Sequence, residues 1–283
     1  MKVLVTGKDG LLAPYFKKFL PTDWEVYLTG RRSGNLKADL SLLKDTKDLL
    51  SKVNPDIIIH CAAMTDVDFA ENNQELAYKT NCELIKNLIK YIENETLFIH
   101  FSSDQVYPGS KNLKELYKEG DENPINIYGK TKLEGEKAVL AHKKSIIFRS
   151  NFFGKSFTKN RYSFDEFILN TIKLNKKLHL YDDILFTPLL MKSVVNITKL
   201  SIQQNVIGVY NLGSNSGMSK YQFGKQFLKK MNIEYSNIVK SKSSDKKNRA
   251  PRPLNMQMNS KKIEKKLKIK LPKLIDEINS YVR

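Results

Sequence analysis

Cysteine is nearly missing from this 283-residue chain: Cys61 and Cys82 are the two present. Two cysteines build neither a disulfide framework nor a cysteine-ligated zinc site, and they suit a reducing compartment. The histidines, His60, His100, His142 and His179, show no metal-ligand spacing, so no metal is expected. Long hydrophobic runs are also lacking. None approaches the ~20 residues of a membrane span, so no membrane partner is expected. The opening Met1–Gly7 reads as a strand running into a glycine turn, too short in its apolar part for a signal peptide, and a cytoplasmic location is expected. Arginine is scarce, occurring at Arg31, Arg32, Arg149, Arg161, Arg249, Arg252 and Arg283, so lysine carries most of the net charge of +18. Arginine makes the bidentate contacts that read bases and phosphates, and lysine is a point charge, so no nucleic-acid partner is expected. The positive field instead suits small anionic ligands.

What is present is enough apolar material for a large core, at 41% hydrophobic residues. Lys2–Thr6, Trp24–Thr29, Ile57–Cys61, Leu97–Ser102 and Ser145–Arg149 are short apolar runs that predict strands. Between them lie stretches of helical spacing: one ending near Leu20, then Leu43–Val53, Asn72–Asn94 and Ile125–His142. On the longest of these, Leu76, Ala77, Leu84, Leu88 and Ile89 are expected to face inward. Alternating strands and helices with continuous apolar strands predict an α/β chain with a doubly wound parallel sheet. After residue 150 the pattern loosens. Phe152–Asn160 and the lysine-rich Lys240–Arg249 read as loops, Gly208–Asn211 as a strand, and Ser163–Leu174, Met218–Met231, Lys261–Leu267 and Leu274–Val282 as helices. The expected division is a nucleotide-binding domain over residues 1–150 and a smaller substrate-binding lobe over 151–283, with some chain returning to the core.

Thr6-Gly7-Lys8-Asp9-Gly10-Leu11-Leu12-Ala13 lies between the first strand and the first helix. A Rossmann-type pyrophosphate turn needs that context: Gly7 for the tight turn, Gly10 for backbone approach to phosphate, and a small residue, here Ala13, for close helix packing. The helix start adds free N–H groups. Leu28-Thr29-Gly30-Arg31-Arg32 ends the second strand without the acid that would hold a ribose 2′-hydroxyl. Arg31 and Arg32 suit a 2′-phosphate instead, which favours NADPH, with NADH the alternative. Asp39 and Leu40 follow and are placed beside the adenine.

Tyr128 and Lys132 stand at i and i+4 on one helix face. A nearby ammonium and a positive nicotinamide favour the phenolate, and the tyrosine can protonate a carbonyl oxygen as hydride reaches its carbon. Ser102 and Ser103 end the preceding strand, where a hydroxyl can bind the same oxygen.

Together, Thr6-Gly7-x-x-Gly10, Cys61-Ala62-Ala63, Ser102-Ser103-Asp104 and Tyr128-x-x-x-Lys132 resemble the extended short-chain dehydrogenase/reductases. Ala62–Glu71 with Ala77–Asn81, Asp182-Asp183 with Thr187-Pro188, and Arg249–Asn255 are similar, more narrowly, to the dTDP-4-dehydrorhamnose reductase family. The likeness runs over nearly the whole chain and is strongest in its first 135 residues. It implies a catalytic set of Ser103, Tyr128 and Lys132, with Lys132 also on the nicotinamide ribose. It implies a cofactor lining of Gly7, Gly10, Leu11, Leu12, Asp39, Leu40, Cys61, Ala62, Ala63 and Thr65. Thr65, Asp104 and Gln105 would face a nucleotide-sugar substrate, Phe152 would lie against the sugar, and a homodimer is the suggested assembly. The chain departs from that family at Ala13, where a third glycine is usual, and at Gln105, where an aromatic is usual; the acids that bind metal at some family dimer interfaces find no match.

Two related chemistries are disfavoured. Nucleotide-sugar 4,6-dehydratases carry Thr-Asp-Glu at this strand end, whereas Gln105 exchanges no proton at neutral pH. GDP-fucose synthase has a cysteine directly after the serine pair, where this chain has Asp104. Cys61 and Cys82 read as small core residues, His60 and His100 as packing histidines, and Tyr107 as a packing residue near the site. Asn81 reads equally as a water-organising group or as a polar residue at a helix kink. The expected function is NADPH-dependent reduction of the 4-keto group of a nucleotide-activated deoxysugar for surface polysaccharide precursors. The alternatives are another ketosugar reductase or epimerase of the same family, or a cofactor-binding regulatory subunit, a role in which the tyrosine is lost.

Overall fold

The computed structural model describes residues 1–31, 36–110, 112–245 and 249–282. Arg32, expected at the cofactor, lies outside them. Up to residue 150, strands Lys2–Thr6 (β1), Glu25–Gly30 (β2), Leu36–Lys37 (β3), Ile57–His60 (β4), Leu97–Ser103 (β5) and Ser145–Ser150 (β6) alternate with helices. The helices are Ala13–Phe19 (α1), Leu43–Val53 (α2), Val67–Asn72 (α3), Gln74–Tyr78 (α4), Leu84–Tyr91 (α5) and Ile127–Leu140 (α6). Beyond it come short strands Phe152–Phe153 (β7), Leu178–Tyr181 (β8), Leu185–Phe186 (β9), Leu189–Leu190 (β10), Gly208–Leu212 (β11), Met218–Ser219 (β12) and Ile238–Ser241 (β13). Helices Phe164–Lys173 (α7), Met191–Gln203 (α8), Lys220–Lys230 (α9), Lys261–Leu267 (α10) and Leu274–Asn279 (α11) lie among and after them.

The main sheet has seven strands in the order β11-β6-β5-β4-β1-β2-β3, and every pairing in it is parallel. Successive strand residues face opposite ways. Val3, Val5, Ile57, Ile59, Ile99, Ile146 and Phe148 pack on one face with Phe16 of α1, Val194 of α8 and Ile263 of α10. Leu4, Ile58, Phe98 and Ile147 pack on the other with Leu49 of α2, Ile85 of α5 and Val139 of α6. Covering both faces is why the strands read as unbroken apolar runs. Each side chain so buried stabilises by roughly 1.5–3 kcal/mol. A third core joins Phe153, Ile168, Leu178, Phe223, Phe227 and Ile278, with Phe153 and Phe223 edge to face at 5.0 Å.

The order leaves β1 toward β2 and β3, then resumes on its other side with β4. That reversal makes the crevice at the carboxyl ends of β1 and β4 the place where a parallel sheet of this kind binds ligands. Register sets His60 beside Thr6 and His100, and Ser103 beside Ser150, along that edge.

Several local expectations change. The helix expected over Asn72–Asn94 runs from Gln74 to Tyr91, with a change of winding inside it. Asn73 leaves the helical region at φ −136°, ψ 58°, and Lys79–Glu83 is a π-helical turn. Leu76 consequently faces solvent at 46% exposure. Phe152–Asn160 opens with β7, paired to β10, and Lys240 and Ser241 belong to β13, paired in parallel to β8. The helix expected from Met218 starts at Lys220, behind a Ser219–Gln222 capping box.

Candidate active site

The chain leaves β1 through Gly7 at φ +79°, a conformation glycine enters freely. A Cβ there would lie 2.7 Å from Ala62 N and 2.8 Å from the Cys61 carbonyl carbon, so the turn is pressed against the end of β4. Ala62 N donates to Thr6 Oγ1 at 3.2 Å, and Gly10 N to Gly7 O at 2.8 Å. This bare-backbone cradle fits a dinucleotide pyrophosphate. Leu11 is half-buried, while Leu12 and Ala13 sink into the core, so Leu12 offers the turn its backbone alone. Ala62 and Ala63 are half-buried next to the turn and Thr65 is exposed. Burial pushes the Cys61 thiol up, so it stays protonated and acts as a small filler.

Arg31 is exposed at the end of β2. Burial works to raise the Asp39 carboxyl, but hydrogen bonds from Ser41 N at 3.0 Å and Ser41 Oγ at 2.7 Å, with the charge of Arg31, hold it below its ordinary value. Leu40 is buried under α2, and its carbonyl accepts from Asn87 Nδ2 at 2.9 Å, so its side chain serves the core.

Tyr128 and Lys132 share the buried face of α6, as their spacing requires, and the Ser103 side chain lies near enough to the Tyr128 hydroxyl to favour its ionised form. The helix packs closely because Gly129 leaves no Cβ against the Gln105 carbonyl, in the turn just after β5, and Gly135 leaves none against that of Asn81, in the π-helical turn. Asn126 caps α6 by accepting from Gly129 N at 2.8 Å, and it donates to Gln105 Oε1 and to the Pro251 carbonyl, each at 2.9 Å. The lysine does not lower the phenol. Burial pushes Tyr128 up to about 12, with the charge of Asp104 adding to the rise, while the Lys132 ammonium is turned to the Phe101 carbonyl at 2.7 Å. Tyr128 is therefore a protonated phenol, the form a proton donor needs. Burial also pulls Lys132 down to about 8, against the charge of Glu136.

Ser103 Oγ donates to Asp104 Oδ1 at 3.1 Å, and Asn151 Nδ2 donates to Asp104 Oδ2 at 2.7 Å. Burial pushes Asp104 up to about 6, against that bond from Asn151 and the charge of Lys220. Lys220 heads α9 with its ammonium 5.3 Å from the centroid of the Phe164 ring. Gln105 is half-buried, and Phe152 packs against the main core beside the β7–β10 pair. Two segments far apart in sequence meet here: Ala250 N donates to Asp68 Oδ1 at 3.0 Å, and Arg252 NH2 lies 2.9 Å from the same oxygen. Asn126, Asn151, Lys220, Asp68 and Arg252 were not singled out as site residues by sequence. Asn126 alone carried a local signal, as a capping residue before a helix. Asn81 accepts from Met64 N at 2.8 Å and donates to Thr131 Oγ1 at 2.9 Å, so it clamps the π-helical turn to α6. Tyr107 packs on Tyr117 and donates to Asn211 Oδ1 at 2.6 Å.

Among the described residues there is no cluster suited to a metal ion, and no helix is long and apolar enough to cross a membrane. The family model for the RmlD substrate binding domain matches residues 1–283. The dTDP-4-dehydrorhamnose reductase of Salmonella typhimurium is 26% identical over 96% of this chain and 94% of its own. The methionine adenosyltransferase 2 subunit beta of Xenopus laevis is 30% identical over 93% of this chain and 82% of its own. A crystal structure of the Bacillus anthracis dTDP-4-dehydrorhamnose reductase in complex with NADP superposes with a TM-score of 0.90 at 22% identity, covering 99% of this chain and 98% of that one.

Proposed function

This chain belongs to the RmlD substrate binding domain family, and on that premise we propose that it is an NADPH-dependent reductase acting on the 4-keto group of a nucleotide-activated deoxysugar. The observation that carries the reading is the meeting of Ser103, Tyr128 and Lys132 at the carboxyl edge of the sheet that also holds the Gly7 turn. Gly7, Gly10, Ala62, Ala63 and Lys132 would hold the cofactor, with Arg31 toward a 2′-phosphate. Bound NADPH would supply the hydride. Ser103 Oγ orients the substrate carbonyl oxygen, and Tyr128 Oη gives that oxygen its proton. Asp104, Gln105 and Phe152 lie on the sugar side.

The test is to mix the protein with NADPH and a dTDP-4-keto-6-deoxysugar and to follow the loss of NADPH absorbance. Turnover that disappears in Tyr128→Phe supports the reading, and the absence of turnover with any nucleotide ketosugar sinks it. A second reading, a cofactor-binding regulatory subunit, is favoured by the 30% identity to the Xenopus laevis subunit. NADPH binding without ketosugar turnover, in a protein that associates with a partner enzyme, would select it. The buried Tyr128–Ser103 pair, complete with Lys132, supports catalysis instead.

A further inference from the structure

His100 stands on β5, three residues before Ser103, and is 1% exposed. Its Nε2 lies 3.3 Å from Lys132 Nζ. An ammonium has donors only, so Nε2 is the acceptor, and His100 must be neutral with its proton on Nδ1. Burial first, then the charges of Lys132 and His60, hold His100 well below its ordinary value, in agreement with that neutral form. His100 Nδ1 has no partner among the described residues, so Lys132 is the one side chain that fixes this ring by a hydrogen bond. A buried histidine bonded to the lysine alone is not explained by packing of β5.

The groups facing this pair are few. His60 of β4 stacks on His100 with ring centroids 5.6 Å apart, and its Nδ1 lies 2.9 Å from Thr6 Oγ1. Glu136, one turn further along α6 and paired to Arg149 of β6 at 2.6 Å, acts on Lys132 by its charge, and the neutral thiol of Cys61 lies just past the end of β4. Lys132 has three ammonium protons, and the Phe101 carbonyl at 2.7 Å takes one. We infer that His100 is a positioning residue for Lys132: its Nε2 takes a second ammonium proton and leaves the third aimed at the ligand. The inference rests on the reading of Lys132 as part of the reductase site, but its test needs neither NADPH nor a sugar.

The Lys132 titration is followed by NMR in ligand-free protein with 13C-labelled lysine, its resonance identified by loss in Lys132→Arg. His100→Leu should lower the midpoint by about one pH unit, the scale of one charge-assisted hydrogen bond. His100→Gln, which keeps an acceptor, should stay near wild type. The alkaline limb of NADPH-dependent turnover should move down with the midpoint in His100→Leu. An unchanged midpoint in His100→Leu overturns the inference. The wild-type protein gives a check that needs no variant to fold: 15N-histidine spectra should show the His100 proton on Nδ1, and a proton on Nε2 overturns the inference equally. A shifted Lys132 in a protein that reduces no ketosugar would leave this inference standing and remove the proposed reaction.

Discussion

The two sides of the proposed site, one for cofactor and one for substrate, are made by different means. The cofactor side is backbone against backbone: Gly7 presses on Ala62, and Thr6 receives the Ala62 N–H. The substrate side is side chains reaching across the chain: Asp68 to Ala250 and Arg252, Asn126 to Gln105 and Pro251, Asn151 to Asp104. A backbone cradle tolerates any neighbour that stays small, whereas a side-chain mesh can be re-cut one residue at a time. On a shared fold, the second kind of surface is where substrate choice can change while the cofactor site stays put.

Tyr128 sits on the seam between the two sides. Tyr128→Phe should lower turnover about a hundred- to ten-thousand-fold while leaving NADPH affinity within a few-fold, measured by initial rates and fluorescence titration. A comparable loss of NADPH affinity would place the tyrosine on the cofactor side and break the division. Gly7→Ala tests that side directly. With positive φ and a Cβ meeting backbone, it should cost about 3 kcal/mol, read as a lower melting temperature and lost NADPH binding.

Asp104→Asn tests the substrate side through pH. The folded carboxyl titrates near 6, above its ordinary 3.8, so the fold holds the protonated form and ionisation destabilises it. Stability of the wild type relative to Asp104→Asn should therefore rise as pH falls from about 6 to about 4, by about 2 kcal/mol in denaturant titrations. A flat difference would mean that Asp104 stays ionised in the fold. The smallest expected effect is Asp68→Ala. Its carboxylate is 34% exposed, so about 1 kcal/mol of stability is at stake. The KM for the sugar nucleotide should rise several-fold with the NADPH Kd unchanged. An altered Kd would show that the mesh reaches the cofactor.

That difference also decides what could be read before the fold was known. Gly7 and its neighbours are contiguous, and the i, i+4 spacing of Tyr128 and Lys132 survives folding unchanged. Asp68 and Arg252 look like two unrelated charges until the chain brings them together. The long helix is legible from its apolar spacing, but the wide turn at Lys79–Glu83 that carries Asn81 inward to its clamp on Met64 and Thr131 leaves no mark on that spacing. β8 and α8 left no expectation at all, since β8 alternates over only four residues and α8 carries the polar Thr198 and Ser201 on its buried face. The phenolate favoured on sequence grounds ignored how fully Tyr128 would be buried and where Lys132 would turn.

The place of β11 in the sheet has a consequence for synthesis. It covers the outer side of β6, yet it is made some sixty residues later. Until the ribosome has delivered Gly208–Leu212, β6 presents an open row of N–H and C=O groups on Ser145–Ser150, a template for pairing with another chain. A nascent or truncated product ending near residue 150 would carry that exposed edge. Protein quality control thus meets this molecule at its stickiest while the far side of its own sheet is still being translated.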